Sequence, residues 1–186
     1  KLQRRGSNLV ITGSNSRLLA GELASSLTGR YIPMEILPFG FREYLLAMNA
    51  EIDVDKLQVR AYKGTVLGLL DKYLKNGGFP EVVVHDMDPT GYLDTLFDAI
   101  LLKDIVKRHK VRQSSELSRL AGFMLANQCS DFTYTGIKNG LGFRSKSTVQ
   151  KYLDYFEEAF LMYSLDRFSY KVKEQINSAK KLYLID

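Results

Sequence analysis

The chain has 186 residues, of which 45% are hydrophobic and 25% are charged, and its formal net charge is +5. This is ordinary globular composition, and it excludes whole-chain disorder because there is enough apolar material to offset the entropy of ordering. A transmembrane helix is excluded too, since apolar runs such as Ala99–Leu102 are far shorter than the roughly 20 residues that a bilayer requires. We therefore expect no membrane partner.

Cysteine and histidine are too scarce for several kinds of site. The single cysteine, Cys129, rules out a disulfide scaffold and suits a reducing cytoplasm, where we expect the protein to reside. With only two histidines, the chain is poorly supplied for a His/Cys metal site or a Ser-His-Asp centre, so no metal is expected. The first residue is Lys1 rather than Met, and we expect the sequence to be a fragment.

The N-terminal part is predicted to form a strand–helix–strand unit. An apolar run over residues 8–13 ends in glycine, which is typical of a buried parallel strand. Ser-Asn-Ser then offers helix caps, and leucines follow at helical spacing as far as Gly29. A second apolar run over residues 31–37 completes a βαβ unit with a short crossover.

The middle of the chain is predicted to be helical, with turn signals between the helices. From the apolar spacing we expect the following segments: a short helix over 41–49, a polar loop over 50–63, a helix over 65–76 closed by Gly77 and Gly78, a short apolar stretch over 81–85, and a long helix over 92–109.

The last third is predicted to contain three helices followed by a two-stranded ribbon: helices over 116–128, 133–139 and 145–161, and strands over 163–169 and 181–185. This is the order of a winged helix-turn-helix. The predicted fold class is therefore α/β followed by mostly α.

Charge is unevenly distributed along these segments. Residues 1–30 carry a net charge of +4, residues 31–100 carry −5, and residues 101–186 carry +6. A basic C-terminal half is compatible with nucleic acid or phosphate, and equally with a solvated surface.

Two positions in the N-terminal unit are candidates for contact with a phosphate. Ser14 and Asn15 follow the predicted central strand, where ligands of open α/β sheets bind, although helix capping is the simpler explanation. Arg30 follows a predicted helix end. Its guanidinium suits phosphate, but pairing with the helix dipole would explain it equally well.

The predicted second and third helices of the winged helix carry the candidate nucleic-acid-binding residues: Lys138, Arg144, Lys146, Ser147, Thr148 and Lys151. Residues at the start of a recognition helix reach bases or phosphates. The alternative is a structural or protein-binding winged helix, and the glutamates at 157 and 158 would repel DNA. A second basic run over residues 103–112 is typical of a solvated helix end.

No G-x-x-x-x-G-K-[ST] motif is present. Such a loop supplies the backbone N–H groups and the lysine that bind nucleotide phosphates. We therefore predict that this chain alone binds ATP with a Kd no tighter than about millimolar, and that it does not hydrolyse ATP. Micromolar affinity in calorimetry with Mg²⁺ would contradict this prediction.

Six segments, taken in order, resemble a prokaryotic AAA+ ATPase family that combines a P-loop core, a winged helix and a C-terminal nuclease-like domain of unknown function. They are Leu9–Leu19, Gly29-Arg30, Leu37–Leu45, Gly77–Val82, Lys103–Ile105, and Thr148–Leu153 taken together with Lys181–Asp186. The resemblance implies that residues 1–50 are the C-terminal part of the core sheet, residues 51–112 a helical lid and connector, and residues 113–186 a winged helix.

The resemblance also implies roles for individual residues. It places Asn15, with Ser14, at sensor 1, and Arg30 at the arginine finger, which often acts in a neighbouring subunit of an oligomer. It implies ATP and Mg²⁺ as cofactors of the parent protein, whose nucleotide-binding motifs would precede Lys1. Two classes of function remain: part of an ATPase that couples nucleotide state to a DNA-facing winged helix, or a non-enzymatic DNA- or protein-binding module.

Overall fold

The computed structural model describes residues 10, 12–13, 32, 34–50, 52–85 and 87–186. These residues form two compact units: one comprises Met34–Leu101 with Ile185–Asp186, and the other comprises Leu102–Leu184. Among the described helices, none combines the length and the apolar character that crossing a bilayer requires.

The first unit is helical. Its elements are α1 (Phe41–Ala47), a 3-10 helix (Val54–Gln58), α2 (Arg60–Asn76), α3 (Pro80–His85) and α4 (Pro89–Ala99). Tyr44 and Leu45 of α1 and Val82 of α3 are buried. The ring of Tyr73 lies 5.4 Å from those of Phe41 and Tyr44, so aromatic contacts hold α1 against α2.

The turn after α2 is held by backbone contacts. Gly77 ends the helix at φ 75° and ψ −174°, a conformation that is essentially restricted to glycine. The N–H of Phe39 donates to the carbonyl of Gly78 at 2.8 Å, and the N–H of Gly78 donates to Oδ2 of Asp186 at 2.6 Å. The hydroxyl of Tyr73 donates to the carbonyl of Phe39 at 3.0 Å. These hydrogen bonds join three separate segments of the unit.

The second unit combines helices with a small sheet. A π-helix (Ile100–Lys107) follows α4, and then come α5 (Ser114–Ala126), β1 (Asp131–Phe132), α6 (Tyr134–Leu141), α7 (Lys146–Glu158), β2 (Met162–Asp166), α8 (Val172–Asn177) and β3 (Lys180–Leu184). The strands are antiparallel in the order β1-β3-β2.

One apolar core joins the helices of this unit to its sheet. Its fully buried side chains are Ile105, Leu117, Leu120, Met124, Val149, Phe156, Met162 and Leu182. Val149 and Phe156 lie seven residues apart on α7, two helical turns on one face, while Leu182 comes from the central strand β3. Burial of side chains of this size stabilises a fold by about 1.5–3 kcal/mol each.

Several sequence predictions are confirmed. The helix predicted over 65–76 ends at Asn76 with glycine next, and Val149, Leu153 and Phe156 face the core. Ser145, the first residue of the helix predicted over 145–161, caps α7, since its Oγ accepts a hydrogen bond from the N–H of Thr148 at 3.1 Å.

Other predictions are corrected. The loop predicted over 50–63 contains the 3-10 helix and the first turn of α2. The two-stranded ribbon is a three-stranded sheet, because Asp131–Phe132 pairs with β3. The apolar stretch over 81–85 is helical, with Pro80 at its first position, where the missing N–H of proline costs nothing.

The predicted βαβ unit lies mostly outside the described residues. Residues 34–37 of its second predicted strand have no regular secondary structure and are exposed. A strand requires a neighbour for its backbone hydrogen bonds, and no described strand pairs with these residues.

Candidate nucleic-acid interface

The start of α7 is built by a serine cap. The Oγ of Ser145 lies 2.9 Å from Oγ of Ser147 and 2.8 Å from Oγ1 of Thr148, in addition to accepting the Thr148 N–H. These contacts hold the first turn of the helix, whose N–H groups and dipole favour an anion. The hydroxyls of Ser147 and Thr148 are therefore engaged in the cap itself.

The predicted basic residues surround this helix start. Arg144, Lys146, Ser147 and Lys151 are exposed, and Lys138 on α6 is half-buried. Burial of Lys146 or Lys151 would have indicated a packing face, and neither side chain is buried within the chain. The candidate cations thus lie on α6, on α7 and in the turn between them, with Lys146 next to Tyr134 and Lys151 next to Tyr155.

Aromatic rings hold two of these lysines. The ammonium of Lys146 lies 5.8 Å from the ring centroid of Tyr134, and that of Lys151 lies 5.7 Å from the ring of Tyr155. Cation–π contacts of this kind restrict a flexible lysine without neutralising its charge. Both ammonium groups remain available to an anion.

Lys180 is a further cation that the sequence patterns did not single out. Its ammonium lies 5.9 Å from the ring of Tyr134, so Lys180 and Lys146 contact the same ring. Lys180 opposes Asp166 in the β2–β3 register and pairs with its carboxylate. Desolvation lowers the pKa of Lys180, but the hydrogen bond from Lys180 to Asp166 and the proximity of Tyr134 outweigh it, so that pKa is raised overall.

Tyr134 stays protonated under ordinary conditions. Burial raises the pKa of its phenol, and this effect exceeds the opposing influence of Lys180. The ring therefore presents a neutral π face to Lys146 and Lys180.

Arg119 is another residue that the sequence patterns missed. Its guanidinium donates to the carbonyl of Leu141 at 2.8 Å and lies 5.8 Å from the ring of Phe143. Since Leu141 is the last residue of α6, Arg119 fixes the turn that leads into α7. This role depends on a contact between residues 22 positions apart in sequence, so no local sequence pattern predicts it.

The two glutamates at the far end of α7 contact other residues of the same unit, and Glu157 lies near enough to Lys180 and Tyr134 to raise the pKa of both. Oε1 of Glu157 accepts a hydrogen bond from the N–H of Ser164 on β2 at 3.1 Å. Glu158 is buried, with Oε2 3.4 Å from Nε2 of His109, whose ring stacks on Tyr155 at 3.6 Å. These contacts fix the positions of both carboxylates, and the expected repulsion of DNA by the two glutamates stays a prediction.

Ser14, Asn15 and Arg30, the predicted phosphate-contacting residues, lie outside the described residues. Their sensor and arginine-finger roles stay predictions. Within the described ranges, no group of three or more His, Cys, Asp and Glu side chains is arranged to hold a metal ion.

The basic surface lies in a segment that this chain shares with other proteins. Residues 67–186, which include the whole basic surface, match a family described as a domain of unknown function (DUF8612). The chain belongs to this family. Residues 1–45 match an AAA domain, so the N-terminal part of the chain is AAA-like.

Relatives occur in archaea and bacteria. An uncharacterized protein of Methanocaldococcus jannaschii is 36% identical over 192 residues, covering 100% of this chain and 43% of the relative. An uncharacterized protein of Haemophilus influenzae is 35% identical over 188 residues, covering 96% of this chain and 44% of the relative. The chain thus spans less than half the length of these relatives. No solved structure matches it.

Proposed function

We propose that this chain is part of an AAA-type ATPase that presents a winged helix to DNA. The AAA-like N-terminal segment supports the ATPase half of the proposal. The exposed basic start of α7, capped by Ser145 and flanked by Lys180, carries the DNA-binding half. The proposal extends to the complete protein, with ATP and Mg²⁺ as its cofactors.

The winged-helix proposal rests on topology. The elements follow in the order α5-β1-α6-α7-β2-α8-β3, so that α6 and α7 are consecutive helices, and β3 is central in the sheet. In helix-turn-helix proteins the second helix of the pair enters the major groove with its N-terminal residues leading. Here that helix is α7, and its leading residues are Lys146 and Ser147.

Binding would begin with phosphate contacts. The ammonium groups of Lys146 and Lys151, with the guanidinium of Arg144, face solvent, and each can displace counterions from the duplex. The dipole of α7 adds a favourable field at its first turn. Such contacts position the protein and are independent of sequence.

A salt titration tests the DNA-binding half. Replacing Lys146 and Lys151 with alanine removes two phosphate contacts, so we expect the slope of log K against log [salt] for duplex DNA to flatten by about two units. Fluorescence anisotropy of a labelled duplex at several salt concentrations measures this slope. As a matched control, alanine at Lys63 and Lys72, two exposed lysines of α2, should leave it unchanged.

Two results would contradict the proposal: no measurable duplex binding at low salt, or equal flattening in both double variants. Substitution of exposed lysines leaves the core of the unit intact, so a folding defect is not expected. The alternative of a protein-binding winged helix predicts the first of these results.

A further inference from the structure

The connection between β2 and β3 carries aromatic rings on its surface. It spans the residues between Asp166 and Lys180 and contains α8. Phe168 is 76% exposed and Tyr170 is 95% exposed. Their ring centroids lie 5.1 Å apart with planes at 77°, so each ring orients the other while both keep open faces.

The exposed apolar surface continues onto α8. Val172 and Ile176 are 67% and 70% exposed, and their spacing of four residues places them on one face of the helix. Four large apolar side chains are therefore exposed within nine residues of chain, and a cluster of exposed apolar residues is more indicative of an interaction site than single ones are.

The same segment is strongly basic. Residues 167–181 contain five basic side chains and one acidic side chain, Glu174. Glu174 is already engaged, since Lys171 pairs with its Oε1 at 2.9 Å and the hydroxyl of Ser169 donates to its Oε2 at 3.1 Å. This contact engages Lys171 as well as Glu174, so the excess of basic over acidic residues in the segment is what makes it complementary to a polyanion.

The segment ends beside the proposed DNA-binding surface. Lys180, at the end of the connection, and Lys146, at the start of α7, lie on the same ring of Tyr134 at 5.9 and 5.8 Å. A nucleic acid bound at α7 could therefore continue along the cations toward Phe168 and Tyr170.

Exposed aromatic rings next to cations are better suited to a single-stranded nucleic acid than to other polyanions. Unpaired bases stack on aromatic side chains while lysines and arginines follow the phosphates. The bases within a duplex are already stacked on one another and offer no free face. A membrane-binding helix would need a longer apolar face than the single turn between Val172 and Ile176.

We propose that residues 167–181 form a stacking platform for unpaired bases, with Phe168 and Tyr170 as the contacting rings. This proposal rests on the proposed function in one respect: the cations at α7 would bind the phosphates of the neighbouring part of the same nucleic acid. The ligand is a nucleic acid with a single-stranded portion, such as a junction, a bubble or an overhang.

A tryptophan reporter tests the platform. The chain contains no tryptophan, so Tyr170→Trp introduces a single indole at the proposed contact. We expect its fluorescence to be quenched by a single-stranded deoxythymidine oligonucleotide of about 12 nucleotides, a length within the range such sites cover. Inorganic polyphosphate of similar charge has no bases, and it should bind without comparable quenching. Equal quenching by both ligands, or none by the oligonucleotide, would overturn the proposal.

Matched variants separate stacking from general apolar contact. Alanine at Phe168 and Tyr170 should weaken single-strand binding at least 10-fold, since each stacked base contributes substantially to affinity. Alanine at Val172 and Ile176 removes apolar surface without removing a ring, and it should change affinity less than about twofold. Equal loss in both variants would overturn the proposal, because the rings would then contribute no more to single-strand binding than the aliphatic side chains do. A blue shift of the Tyr170→Trp emission with phosphatidylserine vesicles, without oligonucleotide quenching, would overturn it in favour of a membrane.

The two proposals fail separately. Duplex binding that depends on Lys146 and Lys151, without quenching by single strands, would leave the proposed function standing and reject the platform. Quenching by single strands without duplex binding would support the platform and reject the proposed function.

Discussion

In the complete protein, we expect Arg30→Ala to lower the ATP turnover number by about 10³-fold. The resemblance to AAA+ ATPases places Arg30 at the arginine finger, whose guanidinium stabilises the charge that develops on the transferred phosphoryl group. This interaction is made in the transition state, so nucleotide affinity should change little. Steady-state hydrolysis and equilibrium binding of a fluorescent nucleotide measure the two effects. Arg30→Lys should also lose most of the activity, because a point charge does not replace a planar fork.

Mixing variants tests whether the finger acts between subunits. Asn15→Ala, which removes the amide that the resemblance places at sensor 1, should also depress turnover rather than affinity. An oligomer of Arg30→Ala and Asn15→Ala subunits contains some sites in which Asn15 comes from one subunit and Arg30 from its neighbour. We expect the mixture to recover activity that neither variant has alone. Turnover of Arg30→Ala within a few-fold of wild type would identify Arg30 as a helix-end residue without a catalytic role.

Local patterns predicted where helices lie better than where they begin and end: the helix predicted over 92–109 begins at Pro89 and continues from Ile100 as a π-helix. α7 combines a serine cap with core positions such as Val149 and Phe156, and both signals are present in its own sequence. The start of α2 was missed because it follows the 3-10 helix directly, and no glycine or proline separates them. β1 was missed because two residues are too few for a periodic signal, and its pairing with β3 depends on residues about 50 positions away.

The candidate site was predictable to the extent that it lies on one element. Lys146 and Lys151 lie on a helix whose inward face is apolar, so their exposure followed from the pattern. Lys180 was not predictable, because it reaches Tyr134 only through the register of the sheet. The contact between Glu158 and His109 likewise joins distant segments of the chain. The charge pattern of the sequence can thus predict which helix carries a basic surface. Which further residues belong to that surface depends on tertiary contacts.

Gly77 and Gly78 follow α2 and belong to one of the segments that resemble the AAA+ family. Both are packed too closely to accept a side chain. A Cβ on Gly77 would lie 2.9 Å from Cγ of Asp186, and a Cβ on Gly78 would meet the carbonyl oxygen of Phe39 and lie 3.1 Å from its carbonyl carbon. The carboxylate of Asp186 accepts hydrogen bonds from the N–H groups of Gly78 and Phe79, which lower its pKa. Desolvation raises the pKa of Asp186 by more. Packing this carboxylate against the glycine turn therefore disfavours its charged form.

We expect Gly78→Ala to destabilise the helical unit by about 3 kcal/mol or more, since the new methyl group must displace backbone rather than a flexible side chain. The displacement would also weaken the Phe39–Gly78 and Gly78–Asp186 hydrogen bonds, each of which contributes about 1 kcal/mol or more. Urea unfolding followed by far-ultraviolet circular dichroism measures the overall loss. Hydrogen exchange of peptides from residues 34–85 assigns that loss to this unit.

Gly68→Ala is the matched control, because Gly68 lies within α2 of the same unit and a Cβ at this position would have no neighbouring atom within 4 Å. Alanine there should stabilise the unit by about 0.5–1 kcal/mol, since glycine loses more backbone entropy than alanine in a helix. The two substitutions add the same methyl group and are expected to act with opposite sign. If Gly78→Ala proved as harmless as Gly68→Ala, the close packing of residues 77–78 against Phe39 and Asp186 would not be what holds this turn.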